Sequence, residues 1–175
     1  HIDIATSLSN IGNIKYGQGN YDLALDLYQQ VLTMQRKYHL GDHLDNVCIL
    51  NNIGYIFSRG KRLYEDALEH HRRALTMLET HYPTYSGHLA INLNYIGDNL
   101  NKQRKFHEAL VYYQQALSMQ RTYYTSDNVN IAHTLSNIGN ILSNQKKNDD
   151  ALDYHRRAMS IYETYHSSDH ISYAT

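Results

Sequence analysis

Apolar side chains recur along this chain at steps of three and four. Ile4, Leu8 and Ile11 are followed by Ile14 or Lys15, and after a polar break, GQGN at 17–20, the same period carries Tyr21, Ala24, Leu25, Tyr28, Val31 and Leu32. In a helix turning once in about 3.6 residues such steps line up on one side. The spacing therefore predicts two amphipathic helices joined by a tight turn whose Gly and Asn tolerate left-handed backbone. The same reading along the whole chain predicts eight helices, over 3–17, 21–38, 45–59, 64–80, 88–103, 106–122, 130–145 and 148–164.

The helix pairs are copies of one unit. LSNIGNI at Leu8 to Ile14 returns at Leu135 to Ile141, with LNNIGYI from Leu50 and LNYIGDN from Leu93 between them. Gly12, Gly54, Gly97 and Gly139 step by 42, 43 and 42 residues, and the pairs beginning at Ala24, Ala67, Ala109 and Ala151 step by 43, 42 and 42. The one extra residue lies between Gly54 and Ala67, in the turn near Gly60 to Leu63, where a loop absorbs it at little cost. The periodicity divides 1–175, as a single array, into repeats 1–42, 43–85, 86–127 and 128–169, with a fifth starting at 170–175, where HISYAT matches HIDIAT at the beginning. The chain reads as a piece of a longer array.

A glycine inside a helix costs about 0.5–1 kcal/mol relative to alanine, and one stands in the first helix of every unit. The offsetting gain is close helix approach, with Ala24, Ala67, Ala109 or Ala151 facing the contact and Tyr28, His71, Tyr113 or His155 filling the space beside it.

A small residue in the first helix, Ala twelve or thirteen later, an aromatic four after that and a small residue three further resembles the tetratricopeptide repeat. Gly12, Ala24, Tyr28 and Val31 carry the likeness, as do Gly54, Ala67, His71 and Ala74; Gly97, Ala109, Tyr113 and Ala116; and Gly139, Ala151, His155 and Ala158. With LNNIG and EDALEHHRRAL, the long unit is similar to the kinesin light chain type. The chain departs from the pattern at His71 and His155, at Lys15, and at Asn148 where Tyr21, Tyr64 and Phe106 stand. The resemblance implies an all-α fold, an α-α superhelix or solenoid of tandem helix-turn-helix repeats, with a concave groove lined by the first helices.

Repeats one and three share YQQ and MQR, whereas two and four share HRRA, so a two-repeat block has been duplicated. Duplication alone accounts for shared exposed residues such as Arg72, Arg73, Arg156 and Arg157.

Composition narrows the chemistry. Sixteen Lys and Arg against 17 Asp and Glu, a net charge of -1, give no bias toward nucleic acid or anionic membrane. One cysteine, Cys48, rules out an internal disulfide or a Cys-based zinc site. There is no membrane-spanning apolar run, no leader pattern and no Asn-x-Ser/Thr sequon, which fits a cytoplasmic chain. Of 12 histidines, His39 with His43 and His166 with His170 are spaced by four but fall at unit junctions without a third ligand, so no metal site is expected. His71 and His155 read as core-filling side chains with a wet edge. No nucleophile elbow, phosphate-cradling loop or paired carboxylates suggest catalysis or a cofactor.

What remains is the surface of the first helices. Around each glycine stand rows of polar, mostly uncharged residues: Ser9, Asn10, Asn13 and Tyr16; Asn51, Asn52 and Tyr55; Asn94, Tyr95, Asp98 and Asn101; Asn137 and Asn140. An Asn side chain both donates and accepts, as an extended peptide backbone does. The resemblance implies that Asn10, Asn52 and Asn137 bind peptide main chain, with Tyr95 interrupting the row. The same residues could instead be solvated, or bridge neighbouring repeats. The expected function is a protein-interaction adaptor binding an extended segment of a partner protein. The alternatives are an accessory or regulatory array of a larger enzyme and end-to-end self-association.

Overall fold

The computed structural model describes residues 2–38, 44–124 and 128–172. Among them the regular elements are helices: α1 Ile2–Gly17, α2 Tyr21–Lys37, α3 Leu44–Tyr55, α4 Tyr64–His81, α5 Ser86–Lys102, α6 Phe106–Tyr123, α7 Val129–Asn144 and α8 Asn148–Ser172. The fold is all-α, built of tandem helix-turn-helix repeats. His39, His43, the side chains of His166 and His170, and the side chains of the expected fifth repeat at 170–175 lie outside the described residues.

Two compact units divide the chain, His1–Pro83 with α1 to α4 and Thr84–Thr175 with α5 to α8. In each, first and second helices of a repeat pack most extensively on one another, α1 on α2, α3 on α4, α5 on α6 and α7 on α8. The first unit is centred on Ala24, Tyr28, Val31, Ile49, Ile53 and Ile56. Buried Leu93, Ile96, Leu100, Tyr113, Leu135 and Ile138 fill the second. Removing such side chains from water is the dominant favourable term in folding.

The turn inside repeats one, three and four closes in one way. In repeat one the Asn20 amide donates to the Lys15 carbonyl at 2.9 Å and Gly19 to Tyr16 at 2.9 Å, a Schellman cap with Gly19 at φ +76°. Lys105 to Leu100 with Arg104 to Asn101, and Lys147 to Leu142 with Lys146 to Ser143, repeat the cap. Here the left-handed positions are Arg104 and Lys146, each at φ 63°, where no glycine marks the turn in the sequence.

The extra residue of repeat two is not looped out, contrary to the expectation from sequence. It widens the end of the first helix into a π-helical turn, Ile56–Lys61, so that Arg62 takes the left-handed position at φ 56° and Leu63 still donates to the Phe57 carbonyl at 2.8 Å. Two contacts hold this wider turn to repeat one. Tyr21 lies on Gly60, where a Cβ would stand 2.7 Å from the ring, and Lys61 Nζ donates to Asp22 Oδ1 at 2.7 Å.

Two further expectations are corrected. Ile4, Ile11 and Ile14 are exposed rather than packed, while the neighbouring Ala5 is buried, because among the described residues α1 packs chiefly on α2. Helix α8 continues to Ser172 instead of ending near 164; Tyr165 to Ser172 contains neither Gly nor Pro to stop it. The close-approach reading of the glycines holds with a change of partner: rings, not the alanines, lie on them. A Cβ on Gly12 would meet Tyr28 Cε1 at 2.8 Å, on Gly54 His71 Cε1 at 2.6 Å, on Gly97 Tyr113 Cε1 at 2.6 Å and on Gly139 His155 Cε1 at 2.9 Å.

Candidate peptide-binding face

The ring that crosses each glycine decides what the neighbouring Asn can do. Tyr28 reaches over Gly12 so that its hydroxyl donates to Asn13 Oδ1 at 2.8 Å. From the next repeat, Asn52 Nδ2 donates to the same Asn13 oxygen at 3.1 Å and to the Tyr28 hydroxyl at 3.2 Å. An amide nitrogen has two hydrogens. The two acceptors stand only 2.8 Å apart, so a single one of these hydrogens serves both in a bifurcated bond, and repeats one and two are clasped together by side chains.

The second unit repeats the clasp with a charge in it. Tyr113 crosses Gly97 and donates to Asp98 Oδ1 at 2.6 Å, and Asn137 Nδ2 of the following repeat donates to the same oxygen at 3.1 Å. Burial pushes the Tyr113 hydroxyl well above its ordinary pKa, and the adjacent Asp98 carboxylate adds to the rise. Tyr28, facing a neutral Asn, is raised by burial, with its bond to Asn52 working against the rise. A phenol held neutral is a reliable donor to Asp98, and a hydrogen bond to a charged acceptor is roughly twice as strong as a neutral one.

Where the second helix carries His instead of Tyr, the side chain is too short for this. Buried His71 donates from Nδ1 to Asn51 Oδ1 at 3.0 Å. Burial holds its pKa down at about 3, with His70 a smaller contribution. His155 is half-buried over Gly139.

The rows expected from sequence thus divide by environment. Asn10, Asn13 and Asn140 are exposed, while Ser9, Tyr16, Asn51, Asn52, Tyr55, Asn94, Tyr95, Asp98, Asn101 and Asn137 are half-buried. Tyr16 stands edge-on to Tyr55 with ring centroids 5.5 Å apart, and the Arg59 guanidinium lies 5.5 Å from the Tyr55 centroid. Asn94 turns away from the surface: its Nδ2 donates to the buried Thr134 hydroxyl at 2.8 Å. That hydroxyl lies 2.9 Å from both Gln120 Oε1 and the Asn130 carbonyl, and Gln120 Nε2 donates to the same carbonyl at 3.2 Å. Sequence reasoning missed this buried network, and it missed the two tyrosine hydroxyls as functional groups. The available signal was the alternation itself, since Tyr28 pairs with Asn13 and Tyr113 with Asp98 only in the odd repeats.

Among the described residues no three His, Cys, Asp or Glu side chains converge as a metal site would require, and no helix is long and apolar enough to cross a membrane. Cys48 is exposed on α3, but its sulfur is partly sheltered, and that desolvation first and Asp45 second raise its thiol pKa.

No curated protein matches the sequence. Solved structures do resemble the fold. BtubC (BKLC) from P. vanneervenii superposes with a TM-score of 0.84 at 20% identity, covering 93% of this chain and 64% of that one. The apo form of RapI superposes with a TM-score of 0.80 at 17% identity, covering 93% and 44%. This chain thus spans less than two thirds of either protein. The family model for the tetratricopeptide repeat matches residues 3–80 and 88–175. With its recurrent Gly, Ala and ring positions and the eight paired helices of its described residues, the chain belongs to the tetratricopeptide repeat family.

Proposed function

We propose that the chain is an adaptor, without catalysis of its own, that binds an extended segment of a partner protein along the first-helix rows. Repeats of this family generally mediate protein–protein interaction. The observation that carries the reading to these rows is the environment of α1: exposed amides at Asn10 and Asn13 stand beside the half-buried ring pair of Tyr16 and Tyr55. Amides supply main-chain hydrogen bonds, and the flat rings supply apolar contact at small entropic cost.

The clasps refine the division of labour. Asn52 donates to Asn13 and Tyr28 of repeat one, and Asn137 is engaged at Asp98. In this reading they hold the frame, while Asn10, Asn13 and Asn140 provide the donors that face a peptide. The near-neutral charge favours a protein ligand over nucleic acid, and the kinesin light chain type of repeat and a cytoplasmic setting fit the same proposal.

A random peptide display library panned on this chain tests it. Selected peptides, titrated into isotopically labelled protein, should shift the side-chain amide resonances of Asn10, Asn13 and Asn140 and the rings of Tyr16 and Tyr55. Shifts confined to the second helices, around Arg72 and Arg156, would place binding elsewhere and refute the proposal.

A further inference from the structure

The two clasps are copies of one arrangement. Asn13, Tyr28 and Asn52 recur 85 residues further along as Asp98, Tyr113 and Asn137. In both a ring crosses a glycine, Tyr28 over Gly12 and Tyr113 over Gly97. The tyrosine hydroxyl donates to the acceptor oxygen at 2.8 Å in the first unit and 2.6 Å in the second. The Asn amide of the following repeat donates to the same oxygen at 3.1 Å in each. What differs is the acceptor, a neutral amide in one unit and a carboxylate in the other.

The first clasp shows that a neutral oxygen is enough to close the joint. Asp98 is half-buried, so a carboxylate there carries a desolvation cost and a full negative charge that the geometry does not require. It is also the one charged residue in the polar rows, whose other members are Asn, Ser and Tyr. Both donors meet Oδ1 and so hold the carboxylate in place on α5. Partly withdrawn from water, such a charge acts on a ligand more strongly than one on open surface.

We infer that Asp98 selects a basic side chain, Lys or Arg, in the segment bound along the first-helix rows of the second unit. The inference rests on the peptide-binding reading of those rows and adds to it the charge of the ligand. A carboxylate that only strengthened the clasp would change stability and leave the choice of ligand untouched.

Peptides panned from a random library on the 175-residue chain test the inference. Those whose binding shifts the side-chain amide resonances of Asn101 and Asn140 occupy the second unit's rows, and they should be rich in Lys and Arg. Each is paired with a twin carrying Gln for its basic residue. The unaltered protein should bind the basic peptide about 10-fold more tightly than its twin, as one hydrogen bond to a charged group gives, and the ratio should shrink as salt is raised. Asp98→Asn keeps an acceptor for Tyr113 and Asn137, as Asn13 serves Tyr28 and Asn52. It should bind both twins alike, with the affinity the unaltered protein has for the Gln twin. Should Asp98→Asn lose its fold, the salt dependence of the ratio in the unaltered protein decides. Peptides that occupy these rows without preferring the basic twin overturn the inference and leave the peptide-binding reading standing. So does a preference that survives Asp98→Asn or high salt, and so do peptides found on the first unit's rows alone. Peptides that miss the first-helix rows altogether refute that reading, and this inference with it.

Discussion

The Tyr113 ring lies on Gly97 so closely that a Cβ there would stand 2.6 Å from Cε1, and from that position its hydroxyl reaches Asp98 at 2.6 Å. The glycine and the hydrogen bond are one device. With a side chain on residue 97, the ring could not cross the helix to the residue beyond it.

Gly97→Ala should therefore lower the denaturation midpoint, by an amount typical of overpacked cores, about 1–3 kcal/mol. Gly17 is the matched control. No atom lies within 4 Å of its would-be Cβ, so Gly17→Ala should be neutral or stabilise by up to about 1 kcal/mol. Equal effects at the two sites would mean the ring does not set the glycine.

Asn137→Ala removes the bridge to Asp98 and Tyr113→Phe removes the other donor to the same oxygen. Each should destabilise the Thr84–Thr175 unit by about 1–3 kcal/mol, as expected for a bond to a charged group. Because the two share one acceptor, the double variant should fall short of or exceed the sum, and strict additivity in chemical denaturation would argue against a shared clasp.

His71 makes the first unit sensitive to acid. Its folded-state pKa is depressed from 6.5 to about 3, so between those values the unfolded chain binds the extra proton and stability rises with pH. The contribution is complete above pH 6.5 and is lost as pH falls toward 3, at a rate approaching about 1.4 kcal/mol per pH unit. His71→Phe should flatten the stability profile in that window relative to the unaltered protein. Parallel profiles would show that His71 is not buried neutral.

The turns offer opposite signs at equivalent places. Lys146 is held at φ 63° and Gly19 at φ +76°. Left-handed backbone costs an L-residue about 1–2 kcal/mol, so Lys146→Gly should raise the melting temperature and Gly19→Ala should lower it.

Helix number, pairing and approximate limits were legible because burial imposes the helical period on the sequence itself. The added residue near Gly60 was legible too, but not its absorption into a π turn, which depends on Tyr21 and Asp22 of another repeat reaching Gly60 and Lys61. The left-handed turns at Arg62, Arg104 and Lys146 carry no glycine to announce them. Identical LSNIGNI segments end up buried in α7 and partly bare in α1, since only neighbouring helices make the difference. The Asn rows were found by counting from the glycines. Which amides face outward and which clasp repeats was not, because that depends on how far Tyr28 or Tyr113, as against His71, extends across the helix.

The first-helix binding surface is tested most directly by calorimetric titration of one selected peptide into paired variants. Asn10→Ala with Asn140→Ala should weaken binding by about 10- to 100-fold, as two lost hydrogen bonds of ordinary strength require, with melting temperature unchanged. Arg72→Ala with Arg156→Ala, at exposed positions on the second helices, should leave affinity intact. The opposite pattern, full affinity in the Asn pair and loss in the Arg pair, would contradict binding along the first helices and put the partner on the second.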